Sequence, residues 1–472
     1  MVSSLKNSPG FQGWVLGALL FTIGFLVHFT YIMQLTHPTG WDGYYYVMQA
    51  HSWIELGYLQ DFDYSPVYPF YTFISLLTNN YIFAFKIGTA LLAASACVAI
   101  FLFAYNQAKS WPKAFFTGAF VIFSPTITFL IYQFPKNTMG LIFFIVFILF
   151  LKKKKFVPAI VFFLLTFLTH RMAAGFAAIT LIVFFLKRKY LIGIGVALVI
   201  LTMLSLLPGI IYLSDFLRFN NQFTISPQLP VYAFSKLFGN QIVWFWHLEL
   251  WLIFLIVITA LAIRGFLLFR NKPYNALSMA LWIILFLTVF PFFQFSTGSM
   301  GFRFFIVSPV IALLLVPNLL PNLKSQVYLT LGLLFLIASA FSVHAYKPDK
   351  LDAPNEIYTA VAEKIEKMED PGKHPLIIAH KSLAEVIIYK TEFDALNWAP
   401  PKNIDQSKIL RVAHNIEKHQ FRKYLSESQI QEVKPLIINY KLIQEDVWQN
   451  FLDSINTNND TTLINAIKQN NN

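Results

Sequence analysis

Charge is scarce in this sequence. Only 13% of its 472 residues are Asp, Glu, Lys or Arg, where a soluble globular chain carries about 25%. That shortage excludes an ordinary water-soluble protein. Cysteine is nearly absent too: Cys97 stands alone in an apolar run, so no intrachain disulfide can form and cysteine usage assigns no redox compartment. The first apolar stretch, from Phe11 to Leu35, is followed by no small-residue cleavage site. It reads as a retained first span and not as a signal peptide. Carboxylates are scarce over the apolar part of the chain. Before residue 345 there are six: Asp42, Glu55, Asp61, Asp63, Asp215 and Glu249.

What fills the space is apolar. The chain is 56% hydrophobic and 17% aromatic, with a mean hydropathy of +0.57. Apolar runs near the length a bilayer-spanning helix needs recur from residue 11 to residue 344. The fold class expected is an α-helical polytopic membrane protein with a small α/β extracytoplasmic C-terminal domain. Spans are expected near 11–36, 81–105, 114–133, 138–151, 156–169, 173–186, 190–213, 242–262, 277–295, 304–317 and 326–344, about eleven in all.

The net charge of +12 could signal nucleic acid, but its distribution points to a membrane and to no nucleic-acid partner. Alternate loops collect Lys6, Lys109, Lys113, Lys152 to Lys155, Lys187 to Lys189, Arg264, Arg270, Lys272 and Lys324. By the positive-inside rule these loops are cytoplasmic. The N-terminus is then inside, and residues 345–472 lie outside, as in a bacterial inner-membrane protein. All six early carboxylates fall in outer loops or outer span ends. The basic residues expected on that side are singletons: Lys86, Lys136, Arg171, Arg218, Lys236 and Arg303. A charge at or just inside a span end is costly unless it is paired or functional, so the outer face is where a site is expected.

Two outer loops are long, roughly 37–80 and 214–241. In the first, Tyr44, Val47, Met48, Ile54 and Leu56 predict an amphipathic helix half-sunk in the interface, ended by Gly57. Residues 61–69 then read as an irregular segment. Asp42 stands at the helix start. It can cap free backbone amides there or act as a functional carboxylate; its spacing alone does not decide. His247 and Glu249, near Trp244, Trp246 and Trp251, read as an interface belt. Asp61-Phe62-Asp63 has the spacing of a metal-holding acidic pair, but surface turns often contain such a pair. A divalent metal is not favoured, and no cofactor is expected.

Asp42, Tyr45, Tyr46, Ala50, Gly57 and the segment SPVYP at 65–69 together resemble the first outer loop of the GT-C superfamily of membrane glycosyltransferases. The nearest likeness is to the protein O-mannosyltransferase and aminoarabinose-transferase branch. QFPKNTMGL at 133–141, LTHRMAAGF at 168–176 and TGSMGFRFFIVSPVIALLL at 297–315 resemble its later outer turns. The resemblance covers roughly residues 10–345 as a pattern. It implies a sugar donor linked to polyprenyl phosphate, an acceptor that is a lipid-linked glycan or a protein, and transfer at the extracytoplasmic face. Asp42 would be the general base, a role that needs a carboxylate within reach of the acceptor hydroxyl. Arg303, Arg171, Lys136 and Lys86 would bind the donor phosphate, where fixed positive charge meets developing negative charge. Tyr45, Tyr46, His170, Tyr68 and Asp63 would line the substrate site. Two departures stand out: Gly43 follows the aspartate where many relatives carry a second acid, and Ser65-Pro66-Val67 lacks the lysine of the aminoarabinose-transferase branch.

From Tyr346 the chain changes character. Sixteen basic and eighteen acidic residues fall between Lys347 and Lys468. Residues 355–368 predict an amphipathic helix, 375–380 a buried strand, 381–391 a helix and 434–443 a strand, so a second domain is expected over 346–472. It shows no glycine-rich phosphate loop. Two other functions suit a polytopic chain. One is a transporter or lipid flippase, which would show internal repeats or midplane charges. The other is an O-antigen polymerase or ligase, whose signature residues lie in a large late loop.

Overall fold

The structure, a computed structural model, describes residues 9–60, 63–186, 246, 249–251, 276–289, 299–319, 355–368, 376–379, 381–391, 393, 395–397, 409–413 and 441–444. Expected spans at 190–213 and 326–344, and the loop at 214–241, lie outside the described residues. The described helices, in chain order, are α1 (Pro9–Met33), α2 (Gly43–Glu55), α3 (Val67–Thr78), α4 (Tyr81–Ala108), α5 (Trp111–Phe123), α6 (Pro125–Gln133), α7 (Pro135–Lys152), α8 (Phe156–Thr169), α9 (Arg171–Leu186), α10 (Ala276–Val289), α11 (Met300–Leu319), α12 (Asn355–Met368) and α13 (Lys381–Lys390). Four strands accompany them: β1 (Leu376–Ala379), β2 (Ala395–Asn397), β3 (Ile409–Ala413) and β4 (Lys441–Gln444).

The chain divides into two compact units. One comprises Met1–Gly40 and Gly57–Leu351, the other Trp41–Leu56 and Asp352–Asn472. The first loop's helix, α2, thus falls with the C-terminal segment.

In the first unit α1, α4 and α7 are each long and apolar enough to cross a membrane. The α5–α6 pair passes the same test as one bent span. The span expected over 114–133 is thus bent: the axes of α5 and α6 differ by 58°. The cause is local. Pro125 supplies no amide hydrogen and favours an extended residue before it. Ser124 is extended (ψ 111°) and its hydroxyl accepts the Ile127 N–H as a cap. One correction concerns residues 67–69, expected to be irregular. The apolar run VYPFYTFISLLT is the helix α3. It closes on Asn79 in the left-handed region, and the Asn80 side chain caps α4 by accepting from Phe83 N–H at 2.9 Å.

Small residues let these helices approach closely. In α4, Ala90, Ala93, Ala94, Ala96 and Cys97 are buried, and α4 packs against α1, α5 and α7. Large apolar side chains such as Trp14, Leu77 and Val157 point outward, a surface that suits lipid and not water.

The second unit holds a four-stranded sheet in the order β2-β1-β3-β4. β1 runs parallel to both β2 and β3, while β3 and β4 are antiparallel. Parallel neighbours need a crossover, and α13 supplies it between β1 and β2. α12 packs on α13, and α13 packs on α2. The helices at 355–368 and 381–390 and the strand at 376–379 fall where the sequence places them. Of the strand expected over 434–443, residues 441–443 are described and are strand.

Two glycines separate steric need from backbone need. Gly40 (φ +89°) has the Tyr132 carbonyl oxygen 2.3 Å from where a Cβ would sit. Gly57 (φ +77°), just beyond the last turn of α2, has open space around it. Gly57→Ala should therefore cost only the roughly 1–2 kcal/mol of a left-handed residue, seen as a small fall in Tm of the purified protein. Gly40→Ala adds a backbone clash and should lower Tm several-fold more. Equal falls would show that the Tyr132 contact is unimportant.

Candidate functional site

The expected site residues separate into two groups, one in each unit. The first gathers at the start of α7. Pro135 opens this helix, and the next residue, Lys136, forms an ion pair with Asp63. Asp63 is held from two other sides. The Ser65 N–H donates to its Oδ1 at 2.9 Å, and the Tyr68 hydroxyl donates to its Oδ2 at 3.3 Å. The Lys136 ammonium lies 5.8 Å from the centre of the Tyr68 ring. Ser65 then reaches α8, its hydroxyl donating to the Thr169 carbonyl at 3.3 Å. The short SPVYP segment is thus stitched to the start of α7 and the end of α8.

His170 follows Thr169, in the turn between α8 and α9. The Met172 N–H donates to its Nδ1 at 3.3 Å, which leaves the neutral ring's proton on Nε2. Gly140 of α7 comes so close that a Cβ there would lie 3.0 Å from the His170 Cβ. Burial disfavours a charge on this imidazole, and Lys136, Arg303 and Arg171 disfavour it further, in that order. Its pKa is therefore held well below the usual histidine value. The same causes show that one histidine lies within electrostatic range of all three cations. Arg303 sits in the first turn of α11, half-buried, its guanidinium 5.7 Å from the centre of the Phe134 ring. Its backbone N–H donates to the Ser299 carbonyl at 3.0 Å. Arg171 begins α9 and is exposed.

Lys86 is used differently. Its ammonium is buried and donates to the carbonyls of Leu35 and Thr36 just past the end of α1. There it does the work of a C-terminal cap.

The second group surrounds Asp42. This residue occupies the N-cap position of α2, yet its side chain makes no capping hydrogen bond. The capping role that the sequence allows is therefore corrected. Its Oδ1 instead accepts from the Lys381 ammonium at 2.9 Å. That ammonium lies 4.7 Å from the Tyr45 ring centre, and Tyr45 meets Tyr46 edge-on at 5.7 Å. Nor does α2 present one submerged face. Tyr44 and every residue from Tyr46 to Ala50 are buried, while Leu56 is exposed. Consecutive buried positions mean that the first half of the helix is enclosed in protein.

Glu249 departs from the expected interface belt as well. It is buried and accepts from the Ser124 hydroxyl, the Thr126 N–H (3.1 Å) and the Thr126 hydroxyl (2.8 Å). Trp246, fully buried, donates to the Thr126 hydroxyl oxygen at 2.9 Å. The carboxylate satisfies the first turn of α6 at the helix break. Only Trp251 of the described belt residues is exposed. His247, Trp244 and Asp61 lie outside the described residues, and among those described no three His, Cys, Asp or Glu side chains gather as metal ligands would.

Chemically, among the described residues the first group brings Lys136, Arg171 and Arg303 together with the Asp63 carboxylate and a neutral imidazole. Such a set suits a phosphate, with arginine supplying forked contacts and lysine a point charge. Comparison with protein-family models finds no match to the chain, and no curated protein is significantly similar to it.

His170 makes the stability depend on pH. Its folded pKa lies below its unfolded value near 6.5. Below about pH 6.5 the unfolded chain takes up a proton that the folded chain refuses, so stability falls as pH drops. His170→Gln should flatten the decline in Tm between pH 7 and pH 5. An unchanged decline would mean that this ring titrates normally.

Proposed function

We propose that the chain is an integral-membrane glycosyltransferase of the GT-C type, moving a sugar from polyprenyl phosphate to an acceptor at the extracytoplasmic face. The observation that carries this reading is the grouping of Lys136, Arg171 and Arg303 around His170. The resemblance of the first loop and later turns to that superfamily supports it. The finer architecture belongs to the same proposal: about eleven spans, a cytoplasmic N-terminus and a small extracytoplasmic α/β domain in a bacterial inner membrane.

The step balances simply. The acceptor oxygen forms a bond to the anomeric carbon, and the bond from that carbon to the phosphate oxygen breaks. Asp42 accepts the acceptor's proton, and the phosphate leaves with the bonding electrons. Lys136, Arg171 and Arg303 offset the charge that builds up on it. Lys86 contributes by fixing the end of the first span.

One observation favours a transporter: Glu249 is an ionisable residue in an apolar run. Its oxygens, however, are engaged by Ser124 and Thr126 at a helix break, which accounts for it structurally.

The purified full chain should release polyprenyl phosphate from one member of a panel of polyprenyl-phosphate hexoses and pentoses. Asp42→Asn should slow transfer by roughly the 10²–10⁴ of general-base catalysis. Its fold should survive, because a partly exposed ion pair contributes about 1 kcal/mol or less. An active Asp42→Asn protein ends the base assignment. Arg303→Lys should raise the donor KM with a smaller effect on kcat, since a forked contact becomes a point contact. Unaltered kinetics in Arg303→Ala would remove Arg303 from the site.

A further inference from the structure

We propose that Lys381, from the C-terminal segment, is the positioning residue that orients Asp42 for proton abstraction. The inference rests on reading Asp42 as the base, and it assigns the C-terminal segment a direct part in the reaction.

Lys381 is the first residue of α13, next in structure after the parallel strand β1. It is separated from Asp42 by 339 positions. Two consecutive residues of α13 grip two consecutive residues at the start of α2. Lys381 binds the Asp42 carboxylate at 2.9 Å, and the Ser382 hydroxyl donates to the Trp41 carbonyl at 3.3 Å. Farther along, the Tyr389 ring meets Tyr44 at 5.8 Å and His51 at 5.7 Å. These contacts fix α2 against α13 in one register, so the Lys381–Asp42 pair is not a chance surface encounter.

The ammonium is itself constrained. The Glu385 Oε1 lies 3.6 Å from it, one turn along α13, and the Tyr45 ring lies under it at 4.7 Å. Glu385 is buried. Burial disfavours the charge on Lys381, but the Asp42 and Glu385 carboxylates outweigh that and hold its pKa above the ordinary lysine value. Lys381 therefore remains a cation wherever a carboxylate base is ionised.

The consequence for Asp42 is directional. One oxygen, Oδ1, is held. Among the described residues Oδ2 has no protein partner, and the side chain is 30% exposed. A base needs this arrangement: one lone pair presented and the other immobilised. Losing such alignment can cost about 10²-fold in rate without any loss of binding.

The test is a double-mutant cycle on the full chain, with polyprenyl phosphate release and transfer measured on the responsive panel donor. Lys381→Met should lower kcat about 10- to 100-fold and leave the donor KM within about twofold, since Lys381 touches no donor. Lys381→Gln should behave alike and serves if the Met variant does not fold, as judged by Tm. Lys381→Arg, which keeps the charge, should recover most of the rate. Asp42→Asn combined with Lys381→Met should be no slower than Asp42→Asn alone, because a residue acting only through another adds nothing once that other is gone. A normal kcat in the neutral variants, or effects that multiply in the double variant, overturns the inference while the base assignment stands. An active Asp42→Asn enzyme, or a wild type inert on every donor, overturns both.

Discussion

An ammonium group drawn wholly or partly out of water is stabilised by an oxygen, and three lysines find one on a single stretch of chain. Lys86 takes the carbonyls of Leu35 and Thr36. Lys381 takes Asp42, and Lys136 takes Asp63. The segment that follows the first span is thereby pinned at its beginning, at the head of its helix and at its end. Each lysine comes from a different helix, α4, α13 and α7. Lys86 is buried, so cutting its tie would leave a charge without a partner, at a cost above what the contact itself contributes. The other two pairs are partly exposed and contribute about 1 kcal/mol or less each.

Charge sorting extends to the helices that supply them. α7 begins with Lys136 and ends in the run Lys152 to Lys155, with no charge between. Lys152 donates to the Asn106 carbonyl and the Gln107 side-chain oxygen at the far end of α4. Its tie is to neutral oxygens, whereas Lys136 meets a carboxylate. The two ends of one apolar helix thus carry different chemistry: plain anchoring at one, and a mixed-charge group around His170 at the other. The break at Ser124–Pro125 is handled in the same economical way. The free amides in the first turn of α6 are met by the Ser124 hydroxyl and by the buried carboxylate of Glu249.

Much of this was legible in the sequence, and the exceptions have physical causes. Hydropathy found α1, α4 and α7 because each is a long apolar run with no more than two charges. It averaged over Ser124–Pro125, where the cap and the proline were visible but a window of apolar residues outweighed them. It also passed over α3, whose 12 residues are too few to span and were absorbed into a loop. Positive charge at span ends flagged Lys136, Arg171 and Arg303, which share one histidine. The same rule flagged Lys86, whose acceptors are backbone carbonyls and carry no sequence signal. Lys381 could not be found at all. A lysine in a segment of balanced charge looks like a solvated residue, and nothing in local spacing links it to an aspartate hundreds of positions earlier. The amphipathic pattern of α2 misled for a related reason. Its polar residues Gln49 and Ser52 are buried, so polarity did not mark a solvent face.

In the proposed reaction the charge balance of the first group has a further meaning. Lys136, Arg171 and Arg303 bring positive charge beside Asp63, while His170 stays neutral. A sugar-linked phosphodiester carries one negative charge, and the polyprenyl phosphate that leaves carries nearly two at neutral pH. Fixed cations therefore attract the departing group more strongly than the donor. Interactions that strengthen as charge develops lower the barrier, whereas those that are equal in both states do not. Asp63 is then useful as well as structural. By neutralising one cation it keeps the group from gripping the donor too tightly, and it holds the Lys136 ammonium in place before the phosphate arrives. That preorganisation spares the reaction the cost of gathering charge during the step.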